Sequence, residues 1–158
     1  MAREKKSPQR KLLEALLIVG LLPLVLPLAF LVLTLAILHR VTLWFLIQIL
    51  WLPRGKDVLL VYSDSTIWNA YMLQEILPLV EERAVVLNWS ERRRWHSCSL
   101  AVMAFRSYGR NRNFNPLVLR FQRIGRTRVF RFWQAFQDQK RGYPEPLRRL
   151  KQELFIAL

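Results

Sequence analysis

An apolar run near the start of the sequence is the feature that most constrains what the chain can fold into. Residues 12–38 read LLEALLIVGLLPLVLPLAFLVLTLAIL and contain one charged side chain, Glu14. About 20 apolar residues suffice to cross the hydrocarbon core of a bilayer. The run is longer than the apolar part of a signal peptide and lacks a small-residue cleavage site at its end. We therefore interpret it as a retained transmembrane anchor.

The prolines of this run and the residues after it leave its geometry open. Pro23 and Pro27 predict a kink in the anchor, with a re-entrant hairpin turning at 23–27 as the alternative. Residues 39–55 predict an amphipathic segment along the membrane interface, because tryptophan favours the head-group layer. A short, tilted second span is the alternative. The residues expected at the interface are His39, Arg40, Trp44 and Trp51.

Charge bears on the partners and on the orientation of the chain. The net charge of +14 favours anionic partners such as lipid head groups, nucleic acid or phosphorylated molecules. Residues 1–11 form a basic tail, which by the positive-inside rule keeps the N-terminus cytoplasmic. One span would then export the remaining domain, whereas two spans or a re-entrant loop would return it. The single cysteine, Cys98, predicted as a small buried side chain, excludes an intramolecular disulfide and favours a cytoplasmic domain.

Residues 56–158 predict a soluble α/β domain. The apolar runs DVLLVYS (57–63) and AVVLNWS (84–90) are typical of buried strands, and the segment 67–77 between them is typical of a helix. This βαβ spacing predicts parallel strands. A helix over 96–108, strands at 117–121 and 127–133, and a last amphipathic helix after Pro144 follow. The expected architecture is a transmembrane helix followed by a small three-layer domain with a mostly parallel sheet of about four strands.

The opening of this domain resembles the first βαβ unit of TIR-like and flavodoxin-like domains over about 35 residues. The resemblance lies in Tyr62-Ser63 at the end of the first strand and in Leu77-Pro78 at the end of the helix. TIR enzymes that cleave NAD use a glutamate on a helix within a tryptophan–cysteine pattern. Here Trp95 and Cys98 are spaced differently and the helix 96–108 contains no acid, so the resemblance does not carry that activity. The overall plan also resembles uncharacterised membrane-anchored bacterial proteins, which implies an inner-membrane location.

Polar residues follow both strands of the βαβ unit, at the sheet edge where ligands bind in open parallel sheets. They are Ser63, Asp64 and Ser65 after the first strand, and Ser90 and Glu91 after the second. Asp64 and Glu91 are candidates for acid–base work or Mg²⁺ binding, although Asp64, Ser65 and Ser90 are more typical of helix caps. No third group completes a catalytic set, and no glycine-rich phosphate loop is present. We therefore expect no catalytic residues, no metal and no cofactor.

Three consecutive arginines, Arg92-Arg93-Arg94, are the candidate contact for an anionic partner. They are also consistent with a solvated surface. Nucleic acid is the least favoured partner, because no recognised nucleic-acid-binding motif is present. The sequence thus predicts a membrane-anchored, non-catalytic binding or scaffolding module that contacts anionic lipid or an acidic protein. The alternative is a membrane-tethered enzyme for a nucleotide or phosphate ligand that uses the edge around Asp64 and Glu91.

Overall fold

The structure is a computed structural model that describes residues 8–109 and 116–158, with the side chains of the first helix described from Gly20 onward. The chain divides into two compact units, Met1–Val41 and Thr42–Leu158. Most of the basic tail predicted at 1–11 and the residues 110–115 lie outside the described residues.

The first helix, α1, spans Pro8–Leu50 and contains both prolines. It is a continuous helix rather than a hairpin. Every residue from Gly20 to Val41 is exposed, so a long leucine-rich surface has no protein cover. The stretch Gly20–Arg54 is long and apolar enough to cross a membrane, and no other helix in the described ranges is.

The helix does not end at residue 38 as predicted. It continues to Leu50 because residues 39–50 contain neither proline nor glycine. A 3₁₀ turn over Leu52–Arg54 then ends the helical path, with Gly55 in the left-handed conformation at φ 72°. The predicted interfacial segment is therefore largely the last part of α1, and the second compact unit begins at Thr42 instead of residue 56.

The second unit contains a four-stranded sheet in the order β2-β1-β3-β4. Its strands are β1 (Val58–Tyr62), β2 (Ala84–Asn88), β3 (Leu117–Arg120) and β4 (Arg128–Arg131). The predicted parallel pairing of β1 with β2 is confirmed. The prediction of a mostly parallel sheet is wrong, because β3 pairs antiparallel with both β1 and β4. The short connection through Gly125, at φ 118°, makes β3 and β4 a hairpin, and parallel strands would need a crossover of about a dozen residues.

The helical segment between β1 and β2 differs in detail from the prediction. It consists of α2 (Asn69–Tyr71), a π-helical turn (Met72–Ile76) and α3 (Leu77–Val80). Pro78 was expected to end or bend the helix near residue 77, yet the helix continues to Val80. The wide π turn comes directly before the proline, where a regular α-helix would lose a hydrogen bond and clash with the proline ring.

Helices cover both faces of the sheet, so the domain has the three layers that the sequence predicts. One face contains Val58, Leu60 and Val118, which pack against α2, α3, α5 (Trp133–Lys140) and α6 (Glu145–Ala157). The other face contains Leu59, Val61, Leu117 and Leu119, which pack against α4 (Leu100–Tyr108) and the last turns of α1. α1 contributes Leu43 and Ile47 to this core, and Trp51, the first residue after α1, belongs to it as well.

The predicted helix 96–108 begins four residues late, at Leu100. Cys98 therefore lies in the turn before α4, and its side chain is exposed rather than buried. The last helix is amphipathic as predicted, since Leu147 and Leu154 are buried and Arg148 and Arg149 are exposed.

Because the last turns of α1 form core, we expect Ile47→Ala to destabilise the domain by about 2–4 kcal/mol. Ile47 is 1% exposed, whereas Ile49, two residues further along the same helix, is 52% exposed. Ile49→Ala is the matched control and should cost well under about 1 kcal/mol. Urea unfolding of the full chain in detergent micelles measures both. Equal losses would mean that α1 does not pack on the sheet.

Candidate functional site

The predicted ligand edge is a small hydrogen-bonded network that joins the ends of β1 and β2. The carboxylate of Asp64 accepts two hydrogen bonds from Asn88 Nδ2, at 2.9 and 3.1 Å. The Asp64 backbone N–H donates to Ser90 Oγ at 3.0 Å, and the Ser90 N–H donates to Asn88 Oδ1 at 2.9 Å. Asp64, Asn88 and Ser90 thus hold the two strand ends together.

The two serines beside Asp64 also have local partners. Ser63 is buried, and its Oγ accepts a hydrogen bond from Trp68 Nε1 at 3.0 Å. Ser65 Oγ accepts a long hydrogen bond from the Ile67 N–H at 3.4 Å, and the Ser65 carbonyl accepts from the backbone of Asn69. Ser65 therefore belongs to a turn, and α2 starts only at Asn69, four residues after the predicted cap.

Glu91 stands apart from this network. Within the described ranges it makes no hydrogen bond and no ion pair, and it is exposed. The residue that caps the following 3₁₀ helix (Trp89–Arg94) is Asn88, not Ser90 as predicted. Asp64 and Glu91, the carboxylates proposed for acid–base work, are not linked by a shared hydrogen bond. At this end of β1 and β2, the side chains of Asp64, Asn88 and Ser90 form hydrogen bonds within the network.

Arg92, Arg93 and Arg94 lie in the last turn of that 3₁₀ helix, and all three are exposed. The guanidinium of Arg92 lies 5.4 Å from the centre of the Trp89 ring, a cation–π distance. None of the three forms an ion pair with a described residue. Their positive charge is therefore not neutralised by neighbouring side chains.

Three aromatic rings form a cluster beside Arg92. Trp89, Trp95 and Phe105 contact one another edge to face, with ring centres 5.5–5.9 Å apart. Phe105 is buried, and both tryptophans are half-buried. Together with Arg92 and Arg106, the rings line a cavity of about 360 Å³. Of the three arginines of the run, Arg92 is thus the one that contacts this aromatic cluster.

The residues predicted at the membrane interface have different environments. His39 and Arg40 are exposed, and Trp44 is 41% exposed. Trp51 is only 9% exposed and packs edge to face on Phe121, with ring centres 5.8 Å apart. Trp51 is thus a core side chain of the second unit, because it directly follows α1 and packs in the same cluster as Leu43 and Ile47.

A charged cluster at the opposite end of the strands was not predicted. Arg83 donates two hydrogen bonds to the carboxylate of Asp57, one of them from Nε at 2.9 Å, and Arg120 Nε lies 3.8 Å from the same carboxylate. The strand pattern contains a signal for this cluster. Asp57 and Arg83 each precede a strand of the parallel pair, and Arg120 is opposite Val58 in the antiparallel pair.

Comparisons of the chain with protein-family models, with curated proteins and with solved structures found no match. The resemblance to TIR-like and flavodoxin-like domains therefore stays a prediction.

The strand-end network gives a prediction about Asn88. Replacing Asn88 by alanine removes the helix cap and both bonds to Asp64, and should cost about 1–2 kcal/mol of stability. Asn88→Ser keeps a good capping oxygen but cannot reach Asp64 in the same way, so it should retain about half of that stability. Thermal unfolding of the full chain measures both. A loss below about 0.3 kcal/mol for Asn88→Ala would show that the network does not hold the edge.

Proposed function

We propose that this chain is a membrane-anchored, non-catalytic α/β module that holds a basic domain against anionic lipid head groups. The observation that carries the proposal is the dual role of α1. Its exposed apolar length is sufficient for a membrane span, and its last turns supply Leu43 and Ile47 to the core of the domain. Leu43 and Ile47 belong to the same continuous helix as the apolar stretch, and we expect a domain anchored in this way to lie close to the bilayer surface.

One end of the sheet lies next to the point where α1 enters the domain. This anchor end consists of the first residues of β1 and β2, the last residues of β3 and the turn Leu52–Arg54. Gln48 Nε2, on the last turns of α1, donates a hydrogen bond to the Gln122 carbonyl at 2.9 Å. That bond fixes the β3–β4 loop beside the end of the helix.

The β3–β4 loop has the composition of a membrane contact. Ile124 is 92% exposed and lies between Arg123 and Arg126, which are both exposed. An exposed apolar side chain flanked by arginines suits the boundary between head groups and acyl chains. Arg54 adds a further exposed positive charge at this end. Each such charge contributes about 1 kcal/mol near an anionic bilayer surface.

The arginine run is placed differently. Arg92–Arg94 follow the far end of β2, and a strand of that length spans about 16 Å. Electrostatic attraction across water falls off over about 8 Å at physiological salt. We therefore assign the lipid contact to the anchor end, and we assign Arg92–Arg94 to an acidic partner protein.

The non-catalytic part of the proposal is supported by the strand-end edge. Asp64, Asn88 and Ser90 use their hydrogen-bonding groups on one another, and Ser63 is bonded to Trp68. Those groups are the ones that an enzyme at this edge would need to present to a ligand. The alternative of a nucleotide or phosphate enzyme at Asp64 and Glu91 gains no specific support.

The lipid proposal predicts selective retention of anionic lipid. The full chain, released from micelles with equal phosphatidylglycerol and phosphatidylcholine, should retain phosphatidylglycerol preferentially in native mass spectrometry. Removing two charges in the loop, with Arg123→Gln/Arg126→Gln, should lower that preference by about 2 kcal/mol, or roughly 30-fold. The control Arg148→Gln/Arg149→Gln removes two exposed charges from α6 and should change it less than about threefold. Retention of both lipids in equal amounts would contradict the proposal.

We also propose that the domain faces the cytoplasm. Anionic lipids give the cytoplasmic leaflet its negative surface potential, and an exposed unpaired thiol such as Cys98 is typical of a reducing compartment. The basic tail favours the opposite orientation for a single span, so the two features make different predictions.

Cys98 provides the test of orientation, because it is the one cysteine of the chain and is exposed. A membrane-impermeant maleimide should label Cys98 only after spheroplasts are lysed. The matched control is Ala2→Cys in a Cys98→Ser background, which should be labelled in intact spheroplasts. The reverse pattern would place the domain outside the cytoplasm.

A further inference from the structure

One concave site lies beside the arginine run, at the far end of β2. It is the cavity of about 360 Å³ that Trp89, Trp95 and Phe105 line together with Arg92 and Arg106. Ligand pockets in proteins usually enclose about 300–1,000 Å³. The cavity is therefore at the small end of that range, and it suits one inserted side chain better than a whole cofactor.

The lining of this cavity carries positive charge only. Arg92 and Arg106 are both exposed, and no acidic residue of the described ranges lines the cavity. Within the protein, Arg92 uses one donor, Nη1, for the carbonyl of Trp89 at 3.4 Å. Arg106 forms no hydrogen bond or ion pair with a described residue. Both guanidinium groups therefore have donors that can bind carboxylates of a partner.

The aromatic walls distinguish between two kinds of anionic partner. The rings of Trp89, Trp95 and Phe105 are inclined at 71–80° to one another, so they form the crossed sides of a cavity. Single-stranded nucleic acid binds by stacking its bases on exposed ring faces. Here Phe105 is only 3% exposed, and the guanidinium of Arg92 lies over the Trp89 ring. This arrangement favours the side chain of a peptide over successive bases.

We propose that this cavity binds an aromatic side chain of an acidic peptide segment in the partner protein. The inserted ring packs against the three lining rings, because aromatic pairs gain stability beyond the area that they bury. Carboxylates on either side of it pair with Arg92 and Arg106. Tryptophan and arginine are also residue types that often dominate the binding energy of protein interfaces.

This inference rests on the assignment of Arg92–Arg94 to an acidic partner and adds the chemistry of the segment that binds. Charge alone would make all three arginines of the run equivalent. The lining does not, since Arg92 belongs to it and Arg93 and Arg94 do not. The recognised segment is therefore one aromatic residue flanked by aspartate or glutamate, and not acidic sequence in general.

The test is calorimetric titration of the full chain in nanodiscs of phosphatidylcholine alone, with short peptides as probes. The first probe is acetylated and amidated Glu-Glu-Phe-Glu-Glu, and its control has alanine in place of phenylalanine at the same charge. The phenylalanine peptide should bind about tenfold more tightly, because only its ring fills the cavity. A third peptide, with glutamine in place of every glutamate, should bind about tenfold more weakly than the first.

Variants of the chain separate the cavity from the rest of the basic surface. Arg92→Gln and Arg106→Gln each remove one charge from the lining at an exposed position. Each should weaken binding of the phenylalanine peptide about tenfold. The control Arg93→Gln removes an exposed charge of the same run outside the lining, and should change it less than about threefold. Urea unfolding of each variant confirms that the fold is intact.

The results that would overturn the proposal differ in what they leave standing. Equal binding of the phenylalanine and alanine peptides, or an equal loss in Arg93→Gln and Arg106→Gln, would remove the cavity and leave the acidic partner. Tighter binding of a single-stranded oligonucleotide of the same net charge would replace the peptide by nucleic acid. Absence of binding by every peptide would overturn the acidic partner as well. The lipid contact is unaffected by these results, because the nanodiscs contain no anionic lipid.

Discussion

The packing of the last turns of α1 on the sheet is the interaction on which the rest of the structure depends. Leu43 and Ile47, together with Trp51 directly after the helix, pack in the same core cluster as Leu59 and Val61 of β1 and Phe105 of α4. Burying a large apolar side chain contributes about 1.5–3 kcal/mol, so these three contacts are large against a typical total stability of about 5–15 kcal/mol. The domain therefore cannot be separated from the end of its apolar helix without losing part of its core.

The two ends of the domain present different side chains. The anchor end presents Ile124 and exposed arginines beside the point where α1 enters. The far end contains the arginine run, with Arg92 over the Trp89 ring and Trp89 packed edge to face on Trp95. In the proposed function, the anchor end contacts lipid and the other end presents its basic surface to an acidic partner, with the four-stranded sheet between them.

Much of the fold follows from local sequence patterns. The apolar runs that became β1 and β2 and the helix between them predict the parallel pair, and the leucine stripe predicts α6. The antiparallel β3 was missed because an apolar strand has the same composition in either direction. The short connection through Gly125 was the signal for a hairpin, since it is too short for a crossover.

The site was harder to predict, because it depends on which strand ends meet. The polar residues after β1 and β2 do come together, but Asn88 rather than Glu91 is the partner of Asp64. The sequence predicts Trp51 at the membrane interface. In the structure it belongs to the core, because α1 continues to Leu50 and Trp51 follows directly. Asp57, Arg83 and Arg120 are far apart in sequence, and the strand register brings them together.

The most direct measurement is the intact mass of the chain recovered from alkaline-washed membranes of cells that express it. The account predicts that all 158 residues stay in the membrane pellet, because α1 is both anchor and core. A folded chain in the soluble fraction, shortened by cleavage within residues 12–41, would contradict it. That result would show that the apolar run is a removed signal segment and that the domain is not held at the bilayer.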